Sequence, residues 1–166
     1  MTPYEVYQSD VIIKHQSKLI SQLLEFHEGT DYRTENFYAY NIFTEVTSTE
    51  MHDLFCDVKA IIKKQLPSGR LWMQAWLNVH KQDECLDWHH HNFPWHGYIS
   101  IDPKDTTTEF SHWSVENKVG NIYFGPGTRA NEHRVVVNSP YNDYRITMGF
   151  DVQTTPTSGL NKFIPI

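Results

Sequence analysis

Four of the ten histidines stand at positions 89, 90, 91 and 96, three of them in the run Leu86-Asp87-Trp88-His89-His90-His91-Asn92. Neutral imidazole is a common metal ligand, and an unperturbed pKa of about 6.5 leaves it mostly neutral at pH 7. In an extended strand His89 and His91 share one face and His90 points away, so two imidazoles could grip one ion. Alone, the pattern fits a polar strand edge equally well, or rings stacked among Trp88, Phe93 and Trp95. Two later residues shift the balance. His133 follows the turn Gly125-Pro126-Gly127, and Arg145 comes twelve residues after it in Tyr144-Arg145-Ile146-Thr147-Met148-Gly149-Phe150. In that segment Tyr144, Ile146, Met148 and Phe150 form an apolar face, which leaves Arg145 and Thr147 together on the other. A guanidinium inside a barrel needs an anion, because an unpaired buried charge is costly. Its fork suits a carboxylate, and a neighbouring hydroxyl can add a further hydrogen bond. A metal beside such an arginine describes a site for a carboxylated co-substrate.

The elements that must position these residues can be read from periodicity. Residues 1–8 form an extended lead-in. Val11, Ile12, Leu19, Ile20, Leu23 and Leu24 predict a helix over about residues 10–27, N-capped by Ser9 or Asp10, with Gly29 as a left-handed C-cap. The stretch from Asp31 to Val46 is aromatic and leaves room for one short strand. Thr47-x-x-Glu50 reads as a capping box, and Met51, Leu54, Phe55, Val58, Ile61 and Ile62 predict a second helix over about residues 48–65, ended by Pro67 and Gly69. From Leu71 the period becomes two. Leu71, Met73, Ala75, Leu77 and Val79 face the helices, while Trp72, Gln74, Trp76, Asn78 and His80 suit the lining of a cavity. Further strands are expected at 85–91, 95–102, 107–113, 119–124, 133–138 and 143–152, separated by turn residues. Residues Gln153 to Ile166 form a surface tail. Two helices followed by seven or eight short strands describe a single domain over 1–166, α+β and mainly β, whose sheet curls into a barrel or sandwich.

On these residues the sequence resembles the 2-oxoglutarate- and Fe(II)-dependent oxygenases, in particular small bacterial and phage proteins of that superfamily. The likeness is carried by Trp76-Leu77-Asn78, His89-His90-His91 and Gly97-Tyr98-Ile99-Ser100, then by Gly120-Asn121-Ile122-Tyr123-Phe124, His133 and Arg145-Ile146-Thr147. It covers roughly residues 70–152. The fold it implies is a double-stranded β-helix of jelly-roll or cupin-like type, with the two N-terminal helices as support. The activity it implies is a dioxygenase that couples oxidative decarboxylation of 2-oxoglutarate by O2 to hydroxylation of a small molecule or a protein side chain. His89 and His133 would be ligands to Fe(II), and Arg145 with Thr147 would hold the distal carboxylate of 2-oxoglutarate, with Tyr98 beside it. The chain departs from the family at one position. His91 stands where the superfamily has an aspartate or glutamate, whereas the usual Fe(II) triad is two histidines and one carboxylate. Either His91 completes a three-histidine site, or an acid comes from elsewhere, with Asp87 the nearest. Trp72, Trp76, Trp88, Trp95 and Tyr98 are candidate walls for the substrate, and His80, His90, His96 and His112 candidate contacts around it. His15, His27 and His52 fall in helical stretches and should face solvent.

Composition narrows the partners. A net charge of −6 provides no basic stripe for duplex nucleic acid. No apolar run approaches the roughly 18 residues that a membrane helix needs, and the start Met1-Thr2-Pro3-Tyr4-Glu5 has no signal-peptide character. Cys56 and Cys85 suggest neither a disulfide framework nor a zinc ribbon, so the reading is a cytoplasmic protein, in the host cytoplasm if phage-encoded. Two other readings are open: a cupin-type three-histidine metalloenzyme without 2-oxoglutarate, and a non-enzymatic β-sandwich that binds a sugar or a partner protein.

Overall fold

Where apolar residues recur every three or four positions the chain is helical, and where they alternate it is extended. The computed structural model describes residues 5–156 and 162–166. In chain order these form β1 (Glu5–Gln8), α1 (Asp10–Gly29), a 3-10 turn (Thr34–Ala39), α2 (Ile42–Glu45), α3 (Thr49–Gln65), β2 (Trp72–His80) and β3 (Trp95–Asp102). There follow β4 (Thr106–Phe110), β5 (Ser114–Glu116), β6 (Asn121–Pro126), a second 3-10 turn (Arg129–Asn131), β7 (His133–Val137), β8 (Arg145–Gln153) and β9 (Ile164–Pro165). A six-stranded antiparallel sheet has the order β1-β6-β3-β8-β2-β9, and a three-stranded sheet the order β5-β4-β7. This is a jelly-roll, cupin-like arrangement, as the resemblance implies.

One face of the large sheet carries the helices. Met73, Ala75, Leu77 and Val79 of β2 and Ile146, Met148, Phe150 and Val152 of β8 share one buried core with Ile12, Leu19 and Leu23 of α1 and Met51, Leu54, Val58 and Ile62 of α3. The opposite face looks toward the small sheet and is polar: Gln74, Asn78 and His80 of β2, His96 and Ser100 of β3, and Arg145, Thr147 and Asp151 of β8 are all buried. The helix starts rest on serines. Ser9 Oγ accepts from the Ile12 N–H and donates 2.6 Å to Asp57 of α3, and Ser48 Oγ accepts from the Met51 N–H.

Several local expectations are corrected. The cap of α3 is Ser48 and not Thr47, and Glu50 is drawn instead to Lys18 at 2.6 Å. Gly29 is not left-handed. It closes α1, whose last carbonyls accept from Thr30 Oγ1 and from Arg33 Nη1. No strand forms between 31 and 46. There the 3-10 turn and α2 lie along the edge of β2 and satisfy it with side chains: Gln74 Nε2 donates to the carbonyls of Phe37 and Tyr40, and the Leu77 N–H donates to Tyr40 Oη at 2.8 Å. The expected strand at 85–91 is irregular. It joins the small sheet at one bridge, where the His89 and His133 backbones exchange two hydrogen bonds of 2.9 Å, with a third from the Val135 N–H to the Leu86 carbonyl. The expected strand at 107–113 is broken by a tight turn into β4 and β5, closed by the Phe110 N–H on the Trp113 carbonyl. The tail expected on the surface in part returns to the sheet, because β9 pairs with Trp72 and Met73; residues 157–161 of it lie outside the described residues.

Candidate metal centre and anion pocket

The bridge between residue 89 and the start of β7 sets His89 and His133 side by side, with ring centroids 4.3 Å apart. Each ring is fixed through Nδ1: His89 against the Asp87 carbonyl at 2.7 Å, and His133 against the Asn131 carbonyl at 2.9 Å. A carbonyl oxygen only accepts, so Nδ1 carries the hydrogen in both rings and Nε2 keeps a bare lone pair. His91 is nearly parallel to His133, 4° apart at 5.6 Å, and its Nδ1 lies 2.8 Å from Asp151 Oδ1. The ligating atoms of His89, His91 and His133 all lie within 4.8 Å of one another. A metal held by imidazoles needs nitrogens at about 2.0–2.1 Å from it, so modest side-chain rotations would close the three on one ion. A second group, His91, His96 and Asp151, converges equally closely. His96 stacks on His91 at 3.9 Å, and neither of its buried ring nitrogens has a hydrogen-bond partner.

Burial sets the charge state here. It lowers the pKa of His89, takes His96 well below the usual imidazole value and brings His133 down to about 3, with neighbouring imidazoles adding to the effect. These rings are therefore neutral at pH 7, the form a metal requires. Burial also pushes the Asp151 carboxyl up, against the pull of His91. Asp87 plays no such part, since it is exposed and its carboxylate accepts from the Trp88 N–H.

Further along the same face of β8 lies Arg145. Antiparallel register sets it opposite His80 of β2, and Thr147 opposite Asn78. Arg145 is 4% exposed, its Nε has no partner, and no carboxylate forms an ion pair with it among the described residues. Thr147 Oγ1 accepts from Arg145 Nη1 at 3.3 Å and from Asn78 Nδ2 at 3.5 Å, which leaves its own hydroxyl hydrogen available. Thr34, from the turn that covers β2, bonds Asn78 Oδ1 at 2.9 Å and contacts His80 Nε2 at 3.0 Å. Burial and the adjacent Arg145 bring His80 down to about 4, and burial raises Tyr98 while lowering Arg145.

A single cavity of about 780 Å³ contains both groups, lined by His89, His91, His133, Asp151, Arg145 and Thr147 together with Trp76, His96, Tyr98 and His90. Trp76 stacks on His91 and is seated against Gly149, where an added Cβ would lie 2.5 Å from the indole. Trp88 and Trp95, expected as walls, are not among the lining residues. Trp88 is 43% exposed under the Arg134 guanidinium, and Trp95 alternates with His96 and so packs toward the helix-side core. Trp72 also stands outside the cavity and His112 is exposed, whereas His27, expected in solvent, is half-buried and among the residues that line the cavity. Asp151 is the residue that the sequence reading missed. It shares the period-two face of Arg145 and Thr147, which is the signal that could have found it.

No protein-family model and no curated protein matches the sequence. Among solved structures, the chain is similar to the non-heme alpha ketoglutarate dependent epimerase SnoN from nogalamycin biosynthesis, with TM-score 0.60 and 10% identity. The two share a fold. The alignment covers 91% of this chain and 76% of SnoN.

Proposed function

We propose that the protein is an Fe(II)- and 2-oxoglutarate-dependent dioxygenase that hydroxylates a C–H bond of a small molecule or protein side chain, in the cytoplasm. The observation that carries this reading is Arg145. It is a buried guanidinium without an acid partner among the described residues, in the same cavity as three convergent imidazoles. A buried charge of this kind calls for an anion from outside the protein. Iron with 2-oxoglutarate bound would let O2 act as the oxidant: 2-oxoglutarate would give up two electrons as it is converted to succinate and CO2, and the substrate C–H bond the other two. The chain's own residues have simpler tasks. His89, His91 and His133 hold the metal through Nε2. Arg145 binds the distal carboxylate with its fork, Thr147 donates its free hydroxyl hydrogen to the same group, and Tyr98 closes the pocket beside them. Trp76 and His96 shape the space for substrate and keep water from it. The shared fold with an enzyme described as alpha ketoglutarate dependent supports this class.

A cupin-type three-histidine enzyme is the second reading, favoured by His91 in the acid's place. Calorimetric titration with 2-oxoglutarate, without oxygen and in the presence of Zn(II), separates the two. The wild type should bind it. Arg145→Lys keeps the charge but loses the fork, so affinity should fall at least ~10-fold, in line with ~1.5–3 kcal/mol for a charge-assisted hydrogen bond. Metal content should not change. Absence of binding by the wild type, or equal binding by Arg145→Lys, would transfer the assignment to the cupin reading.

A further inference from the structure

Two of the three converging imidazoles are held by backbone carbonyls, His89 and His133 through Nδ1 at 2.7 and 2.9 Å. The Nδ1 of His91 lies 2.8 Å from Asp151 Oδ1, a close ion-pair contact that is not aligned as a hydrogen bond. Only the third partner is a carboxylate. Asp151 is 1% exposed, and His91 is its one ion-pair partner among the described residues. A buried carboxylate is costly unless positive charge stands close to it. A divalent cation on the far nitrogen of His91 would supply that charge.

Three neutral imidazoles leave a divalent ion with its full double charge. Two imidazoles and a carboxylate would cancel one unit. A carboxylate behind one of the three histidines restores that unit one residue removed from the metal, and fixes the tautomer of the ring it holds. We propose that Asp151 is the acid of this centre, acting as a positioning residue through His91 rather than as a ligand. It keeps the hydrogen of His91 on Nδ1, turns Nε2 to the metal and strengthens that nitrogen as a donor. This rests on the metal-binding part of the function proposed above. The arrangement also accounts for the departure at position 91, since the acid is not lost but moved to β8 and passed through an imidazole.

The rival arrangement places the ion between His91, His96 and Asp151, with the carboxylate bound directly. In that case His91 would turn Nδ1 to the metal, unlike His89 and His133, and those two would lose their common focus with it. The two arrangements predict different spectra. In the Zn(II)-loaded wild type, nitrogen-resolved NMR of the histidines should show His91 bound through Nε2, with a downfield, slowly exchanging Nδ1 proton. Binding through Nδ1 would overturn the proposal without any variant having to fold.

Asp151→Asn preserves size and one acceptor oxygen but removes the charge. Anaerobic titration with Co(II) against a competing chelator should give a 1:1 complex that is about 10–100-fold weaker than the wild type's. An unchanged affinity would overturn the role of Asp151 while leaving the oxygenase reading intact. A loss as complete as that of His133→Ala would make Asp151 a direct ligand, which equally overturns it. A wild type that takes up no Co(II) would remove the metal from the proposed function, and this inference with it.

Discussion

His133 enters the cavity with Nδ1 already committed to the Asn131 carbonyl, so Nε2 is the one nitrogen it can offer. His90 lies in the same run as His89 and His91 and lines the same cavity, yet it belongs to neither group of converging ligand atoms. The two positions should therefore respond differently. His133→Ala should abolish uptake of Co(II), while His90→Ala should cost at most about 10–100-fold, as for a residue outside the ligand set. Metal analysis after equilibrium dialysis checks both, and equal losses would mean that the metal sits elsewhere in the run. At this scale the sequence was informative wherever strand parity alone decides direction. Arg145 and Thr147 emerged in this way, and Asp151 obeys the same parity. It was passed over in favour of Asp87, which is near in sequence but points to solvent. Proximity along the chain was a poorer guide than the face of a strand. The direction of Trp95 follows the same rule, because its neighbour His96 occupies the cavity side.

At the level of elements, the long periodic segments were legible. The two main helices and the strands at 72–80, 95–102 and 145–153 lie within about two residues of the hydrophobic pattern, because that pattern is local. The segments at 31–46 and 85–91 were not, because their form depends on distant partners: the open edge of β2 for one and the backbone of His133 for the other. The large sheet imposes its own demands on single positions. At Gly97 of β3, an added Cβ would lie 2.2 Å from Phe150 Cζ and 2.3 Å from the Tyr123 carbonyl oxygen. A ring can turn aside, but a carbonyl in a ladder cannot. Gly97→Ala should therefore destabilise the fold by ~1–3 kcal/mol or more, the range for overpacked cores. Gly29, at the end of α1, has open space around its Cβ position and no left-handed backbone. Gly29→Ala should be neutral or stabilising by up to ~1 kcal/mol. Urea denaturation of both variants tests the pair, and a Gly97→Ala protein as stable as the wild type would mean that β3 and β6 are spaced more loosely than described.

For the molecule as a whole, the consequence of gathering these imidazoles in one cavity is a stability that depends on pH. In the unfolded chain a histidine takes up its proton near pH 6.5. In the fold, burial keeps His80 neutral down to about 4 and His133 down to about 3, and it lowers His89 and His96 as well. Between these limits the unfolded chain binds more protons than the native one, so stability falls as the pH falls. Each such histidine contributes a slope of about 1.4 kcal/mol per pH unit. Two of them would remove roughly 3 kcal/mol per unit in the middle of the window, a large part of an ordinary domain's 5–15 kcal/mol. The Lys18–Glu50 pair does not account for this loss. Lys18 holds Glu50 down to about 2, so its contribution is complete above the ordinary carboxylate range and is lost only as the pH falls below it. The metal-free protein should therefore show a urea midpoint that is steady above pH 7 and declines steeply from pH 6.5 to 4.5. Zn(II) favours the neutral form of its ligands, so one equivalent should raise the midpoint at pH 7, with the gain shrinking as protons compete for the same nitrogens. A midpoint that stays level through this window would mean that the cavity imidazoles take up protons in the native protein as readily as in the unfolded chain, and that burial does not hold them neutral.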